Sequence, residues 1–70
     1  MNWIMYSGSR DYVILEEGAV VEVDLDQQPE TYTIIAVDVN VQEYIDSYGS
    51  DFTWYPCDSA YVEYIKDKIT

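Results

Sequence analysis

Residues 20–26, which read VVEVDLD, alternate apolar and acidic side chains. A period of two is that of a β-strand, in which successive side chains point to opposite faces of the sheet. The alternation therefore predicts a strand with one face against a core and one face in solvent, which is typical of antiparallel sheets. Glu22, Asp24 and Asp26 would share the acidic face of this strand.

The segments around this strand show further β-type patterns. Runs of β-branched and aromatic residues favour strands, and Gly or Pro between such runs favours turns. We predict strands over residues 2–6, 11–15, 19–26 and 31–39, and a short edge strand over residues 51–56. Residues 31–39 are apolar on both faces, which indicates a central strand of the sheet that is covered on one side.

Residues 40–48 change to the period of a helix. Apolar and aromatic side chains recur there at i, i+3, i+4 and i+7, the spacing of one helix face. The residues that carry this spacing are Val41, Tyr44, Ile45 and Tyr48. Asn40 is a favourable N-cap with Glu43 at the capping-box position, and Gly49 is a favourable helix stop. A helix of about two turns is predicted.

A second helix is predicted over residues 58–69, with Asp58 or Ser59 as its N-cap. Its apolar stripe consists of Val62, Ile65 and Ile69. A chain of 70 residues forms one domain. The predicted order ββββ-α-β-α makes residues 1–70 a single acidic α+β domain, with an antiparallel sheet of four to five strands and two short helices packed on one face.

Charge narrows the classes of partner. The chain has 14 acidic and 3 basic residues and a net charge of -11. A small domain needs a net charge of only about 2–8 for solubility, and a larger charge destabilises the folded state by self-repulsion. This excess therefore indicates a use beyond solubility. Because nucleic acid is itself a polyanion, direct binding to DNA or RNA is disfavoured, and a basic protein is the favoured partner.

The residues that most enzymes and metal sites use are scarce. The chain has no His, which removes most acid–base and triad arrangements. Cys57, the one cysteine, has no His partner and is expected to be a small buried or half-buried thiol, and a single cysteine suits a reducing compartment. Residues 24–35 begin like a calcium-binding EF-hand loop, but Pro29 stands where Gly is required and Ile35 where Glu is required. No catalytic residue, metal site or cofactor is predicted.

The same sequence indicates a cytoplasmic protein without a membrane partner. The first ten residues, MNWIMYSGSR, lack the basic start and long apolar run of a signal peptide. No segment approaches the about 20 apolar residues that a membrane-spanning helix needs.

Acidic and tyrosine side chains are the candidates for partner binding. Same-face residues of a strand repeat about every 6.6–6.8 Å, close to the roughly 7 Å between successive phosphates of one DNA strand. The eight tyrosines exceed what so small a core absorbs, and exposed Tyr is favoured in protein interfaces. The predicted partner-binding residues are Glu16, Glu17, Glu22, Asp24, Asp26, Glu30, Asp38, Glu43, Tyr44, Asp46 and Tyr48. Asp51 adds to the same acidic field, and an ordinary solvated sheet face is the alternative.

In composition over its whole length, this short, acidic, tyrosine-containing chain resembles the DNA-mimic inhibitors that phages and mobile elements encode. That group includes anti-restriction proteins, uracil-DNA glycosylase inhibitors and anti-CRISPR proteins. The resemblance implies an inhibitor whose surface carboxylates occupy the nucleic-acid site of a host protein, with no reaction of its own. Two alternatives stay open: an immunity protein or antitoxin that neutralises a basic toxin, and a non-inhibitory acidic interaction module, such as a homodimer formed through a strand edge.

Overall fold

The computed structural model describes residues 1–48 and 52–69. Its elements are β1 (Trp3–Ser7), β2 (Arg10–Ile14), β3 (Val20–Asp24), β4 (Thr31–Ala36), α1 (Val41–Tyr48), β5 (Tyr55–Pro56) and α2 (Ser59–Ile69). The predicted α+β class, with an antiparallel sheet and two helices, is confirmed. The predicted helix stop at Gly49, the acidic Asp51 and the start of the predicted 51–56 strand lie outside the described residues.

The sheet is a meander to which β5 adds one further edge. The strand order is β4-β3-β2-β1-β5, and all neighbours are antiparallel. The β2–β3 turn contains Gly18, whose φ of 98° lies in the region that only glycine enters freely. A Cβ there would lie 2.7 Å from the carbonyl oxygen of Val39. The turn can therefore pack against the segment that leads into α1, and the Val39 N–H donates to the Gly18 carbonyl at 3.1 Å.

The prediction that residues 31–39 form a central strand is wrong. Among the described strands β4 pairs with β3 alone, at one edge of the sheet. The two-sided apolar pattern has another cause, because a helix lies beside each face of this edge. Tyr32 contacts Tyr64 of α2 with 6.1 Å between ring centroids, while Ile35 lines a cavity with Tyr44 of α1 on the other face. Apolar residues on both faces therefore do not by themselves indicate a central strand.

One face of the sheet packs against α2 and holds the main core. We call this face of the sheet the α2 face. The buried residues of the core, from the sheet and from α2, are Ile4, Val13, Leu15, Val21, Val23, Val62 and Ile65. Full burial of such side chains stabilises the fold by roughly 1.5–3 kcal/mol each. Of the two predicted N-caps of α2, Asp58 and Ser59, the structure uses Asp58, whose Oδ1 accepts a hydrogen bond from the Ala60 N–H at 2.8 Å.

The opposite face, which we call the α1 face, includes the buried residues Met5, Ile14 and Val20. Both helices were predicted on one face, whereas the residues beside α1 belong to this second face. The reason is that β2 and β3 carry adjacent apolar residues, so that both faces of the sheet need cover. The predicted cap of α1 is confirmed, since Asn40 Oδ1 accepts from the Glu43 N–H at 3.1 Å.

Candidate partner-binding surface

The two carboxylates that alternate within β3 are paired inside the molecule. The strand register places Arg10 opposite Asp24 and Tyr12 opposite Glu22 on the α1 face. Arg10 Nη2 lies 3.5 Å from Asp24 Oδ2, and Arg10 Nε lies 3.9 Å from Glu22 Oε1. The side chains of Glu22 and Asp24 are only 30% and 13% exposed. Arg10 thus offsets much of the charge that the alternation predicted for this face.

Asp26, the third residue of the predicted row, lies in a turn. The strand ends at Asp24, and the Asp26 N–H donates to Asp24 Oδ1 at 3.0 Å. Such a bond from a backbone N–H to an Asp two residues earlier is typical of a tight turn. Farther along this connection, Glu30 is exposed and accepts a hydrogen bond from the Tyr32 hydroxyl at 3.3 Å. Both carboxylates lie at the end of the sheet where β4 begins.

Glu16 and Glu17 occupy the β2–β3 turn at the other end of the sheet, and each has a cation nearby. Glu16 Oε2 lies 2.9 Å from the N-terminal amino group, whose hydrogen bond lowers the pKa of Glu16. Glu17 Oε1 lies 3.5 Å from Lys66 Nζ. All four groups are largely exposed, so these ion pairs are weak and leave the carboxylates within reach of a partner.

Among the described residues, the carboxylates of Asp38, Glu43 and Asp46 at and before α1 have no cation nearby at ion-pair distance. Lys68 Nζ lies 5.3 Å from the centroid of the Tyr64 ring, and the other described cations pair with residues of the β2–β3 turn and β3. Within residues 1–48 and 52–69, no cation lies at ion-pair distance from Asp38, Glu43 or Asp46. These three carboxylates, which we call the α1 ridge, are exposed.

The backbone holds the α1 ridge in place. Asp38 adopts a positive φ of 55° just before α1, and the contact between Gly18 and Val39 fixes this segment beside the β2–β3 turn. Glu43 and Asp46 are three residues apart on the helix, which places their Cβ atoms about 5–6 Å from each other. Asp46 Oδ1 also accepts from Gln42 Nε2 at 3.0 Å. The ridge therefore presents two negative charges from α1 and a third, that of Asp38, from the segment that leads into it.

The two predicted tyrosines have different surroundings. Tyr44 is half-buried, with its ring centroid 4.8 Å from that of Tyr48 and 6.1 Å from that of Trp54, and burial raises its pKa. Tyr48 is exposed. Both rings border a cavity of about 240 Å³ beneath α1, together with Tyr12 and Trp54. Tyr44 thus serves mainly to hold α1 on the sheet, while Tyr48 is available to a partner.

Sequence reasoning missed the exposed apolar residues of the β4 edge. Ile34 and Ile35 are 45% and 47% exposed, and Val37 just beyond the strand is 62% exposed. A signal was present, because residues 31–37 contain no charged side chain in a chain that is otherwise rich in charge. That pattern favours either burial or contact with another polypeptide.

Cys57 and Asp11 are two partly shielded titratable groups among the described residues. Burial and the nearby Asp58 raise the pKa of the half-buried Cys57, so the thiol stays protonated at neutral pH. Of the described carboxyls, that of Asp11 is the most buried, and it accepts a hydrogen bond from the Tyr61 hydroxyl at 3.3 Å on the α2 face. In the described part of the chain, no group of three or more potential ligand side chains is placed to hold a metal ion.

Neither of the described helices combines the length and apolar character that crossing a membrane requires. Comparison of the chain with models of protein families, with curated proteins and with solved structures gave no match.

Proposed function

We propose that this protein is an acidic inhibitor that binds the basic nucleic-acid-binding site of a host defence or DNA-processing protein and occludes it. An anti-CRISPR or anti-restriction role is the most concrete form of this proposal. The observation that carries it is the distribution of charge: the net charge is -11, and no described cation lies at ion-pair distance from the α1 ridge. The protein acts by binding alone, in the cytoplasm of the host cell if a phage encodes it.

The α1 ridge supports this function better than the β3 carboxylates do. Arg10 already screens Glu22 and Asp24, whereas a partner's Arg or Lys can approach the ridge without displacing an internal cation. Complementary charges steer association and strengthen binding when the pairs are close. Exposed Tyr48, at the end of α1, adds an aromatic contact of the kind that interfaces favour.

The test begins with affinity capture of the partner from cells that carry restriction or CRISPR systems. Two triple variants are then compared, D38N/E43Q/D46N on the α1 ridge and E22Q/D24N/D26N on β3 and its turn. Each raises the net charge by three and keeps side-chain shape, so overall charge is matched. Asn tolerates the positive φ of Asp38, and Gln at position 43 leaves the backbone cap at Asn40 intact.

We expect the ridge variant to lose at least about tenfold in affinity, because close charge pairs couple by about 1.5 kcal/mol or more. Its binding should also weaken less with added salt than that of the wild type. The β3 variant should lose clearly less. Equal losses would mean that only total charge matters, and unchanged affinity in both variants would contradict the proposal.

A mobility-shift assay provides a second test. The wild type should not bind single- or double-stranded oligonucleotides at physiological salt, because both molecules are strongly negative. Tight binding to an oligonucleotide would contradict an inhibitor that acts by replacing nucleic acid on its target.

A further inference from the structure

The outer edge of β4 lacks most of the features that normally prevent edge pairing. An edge strand presents unpaired N–H and C=O groups, and proteins usually protect it with Lys, Pro, a bulge or a very short length. β4 has six residues, TYTIIA, without a charge or a proline. Its register with β3 shifts only between Val20 and Val21, near the C-terminal end of β4. The opposite edge is protected, since β5 has two residues and one is Pro56.

The side chains of β4 also favour contact with another strand. Ile34 lies opposite Val21 on the α2 face, and Ile35 lies on the α1 face, yet both are about half-exposed. Val37 extends the exposed apolar surface past the end of the strand. A strand added beside β4 would cover apolar surface on both faces while satisfying the outward backbone groups.

Charge at the two ends of β4 indicates what kind of strand fits. Glu30 precedes β4 and Asp38 follows it, both are exposed, and no cation of the described residues lies at ion-pair distance from either. A second copy, paired antiparallel about the centre of β4, would bring Glu30 of one copy close to Asp38 of the other at each end. Each copy also carries a net charge of -11. A strand with basic residues at its ends is complementary instead.

We propose that the β4 edge accepts an extended segment of the basic partner as a sixth strand of the sheet. The segment pairs with about six residues over roughly 20 Å, is uncharged along its centre, and has Lys or Arg at its ends near Glu30 and Asp38. The inference rests on the proposed function for the basic character of the partner. It adds a mode of docking in which backbone hydrogen bonds supply affinity and the terminal charges supply orientation.

A synthetic peptide tests this inference without an identified partner. The probe is acetyl-Lys-Thr-Val-Thr-Val-Lys-amide, titrated into isotope-labelled protein and followed by nuclear magnetic resonance and amide hydrogen exchange. The first control replaces both lysines by glutamate, which changes only the charge at the ends. The second methylates the four central amide nitrogens, which prevents pairing through either edge of the peptide.

The lysine peptide should shift the resonances of Thr31–Ala36 and slow the exchange of the outward β4 amides. The glutamate peptide should bind at least about tenfold more weakly, consistent with the loss of two favourable charge contacts. The methylated peptide should leave β4 unchanged. Unshifted β4 resonances at millimolar lysine peptide, or equal binding of the two charge versions, would overturn the inference.

Self-pairing is a separate outcome that also overturns it. In that case the β4 amides of the free protein would become protected as its concentration rises, and sedimentation would show a dimer. The experiments distinguish failure of this inference from failure of the proposed function. Loss of partner affinity in D38N/E43Q/D46N without peptide pairing would keep the proposed function and remove the β4 inference, whereas peptide pairing with unchanged partner affinity would do the reverse.

Discussion

The two faces of the sheet are covered in different ways. On the α2 face, Val62 and Ile65 are buried among aliphatic side chains. On the α1 face, no residue of α1 is fully buried, a cavity of about 240 Å³ remains, and Trp54 Nε1 is buried without a hydrogen-bond partner among the described residues. Elements with few buried apolar contacts open at lower free energy. The α2 face therefore supplies most of the stability, whereas α1 and the segment before it carry the exposed carboxylates of the α1 ridge.

The largest expected effect is on the free energy of unfolding, when an isoleucine on each face is replaced by alanine. Ile65→Ala removes a fully buried side chain and should lower the free energy of unfolding by about 2–5 kcal/mol. Ile45 on α1 is half-buried, so Ile45→Ala should lower the free energy of unfolding clearly less, by about 1 kcal/mol. Urea denaturation of both variants measures the difference.

A control guards against complete unfolding, because a domain of this size has only about 5 kcal/mol of stability to lose. Ile65→Val deletes one methyl group and should cost about 0.5–1.5 kcal/mol. Equal losses for Ile65→Ala and Ile45→Ala would show that both faces contribute alike and would remove the comparison.

Local sequence patterns predicted the helices and strands well, because whether a segment is a helix or a strand depends largely on residues that are neighbours in the chain. The alternation in 19–26 matched β3 at Val20–Asp24, and the apolar spacing in 40–48 matched α1 at Val41–Tyr48. The strand order and the sides on which the helices pack depend on contacts between distant residues. Residues 31–39 were therefore misplaced at the centre of the sheet, although their extended conformation was predicted correctly over Thr31–Ala36.

For the candidate site, too, the residues were predicted from the sequence, whereas the contacts between distant residues were not. The sequence identified every acidic residue of the α1 ridge, but it did not distinguish them from Glu22 and Asp24. That distinction depends on the β2–β3 register, which places Arg10 opposite Asp24. In a chain with three basic residues, the position of each one decides which carboxylates stay free. Pairing register across a turn is a tertiary property that composition does not report.

An intermediate effect on stability is expected when Arg10 is replaced. Arg10→Gln leaves the partly buried Asp24 and Glu22 without their cation and should lower stability by about 1 kcal/mol or less, since Arg10 is itself half-exposed. Lys66→Gln changes the net charge equally but breaks only the exposed pair with Glu17, so its loss should be smaller. Denaturation at low and high salt should show the difference shrinking as salt is added. Equal losses would mean that only total charge matters and that the α1 face gains nothing specific from Arg10.

The smallest effect concerns Asp11, whose carboxyl is buried on the α2 face. Burial raises the pKa of Asp11 above its usual value of 3.8, and the hydrogen bond from Tyr61 lowers it by less. A carboxyl whose pKa is higher in the folded state makes a contribution to folding that is fully present at pH values below its unfolded pKa. This contribution is lost as the pH rises through the folded pKa, so ionised Asp11 destabilises the protein at neutral pH.

Asp11→Asn removes this titration and keeps an oxygen that can accept from the Tyr61 hydroxyl. The stability of the variant relative to the wild type should therefore rise between about pH 3 and neutral pH and then level off, as the linkage between protonation and folding requires. Tyr61→Phe is the opposing control, because it removes the donor and leaves the carboxylate buried with less compensation, so the wild type should be the more stable at neutral pH. Urea denaturation across this pH range measures both differences. If Asp11→Asn instead becomes less stable than the wild type as the pH rises, the hydrogen bond outweighs burial, and the α2 face would depend on a buried charge as well as on its aliphatic core.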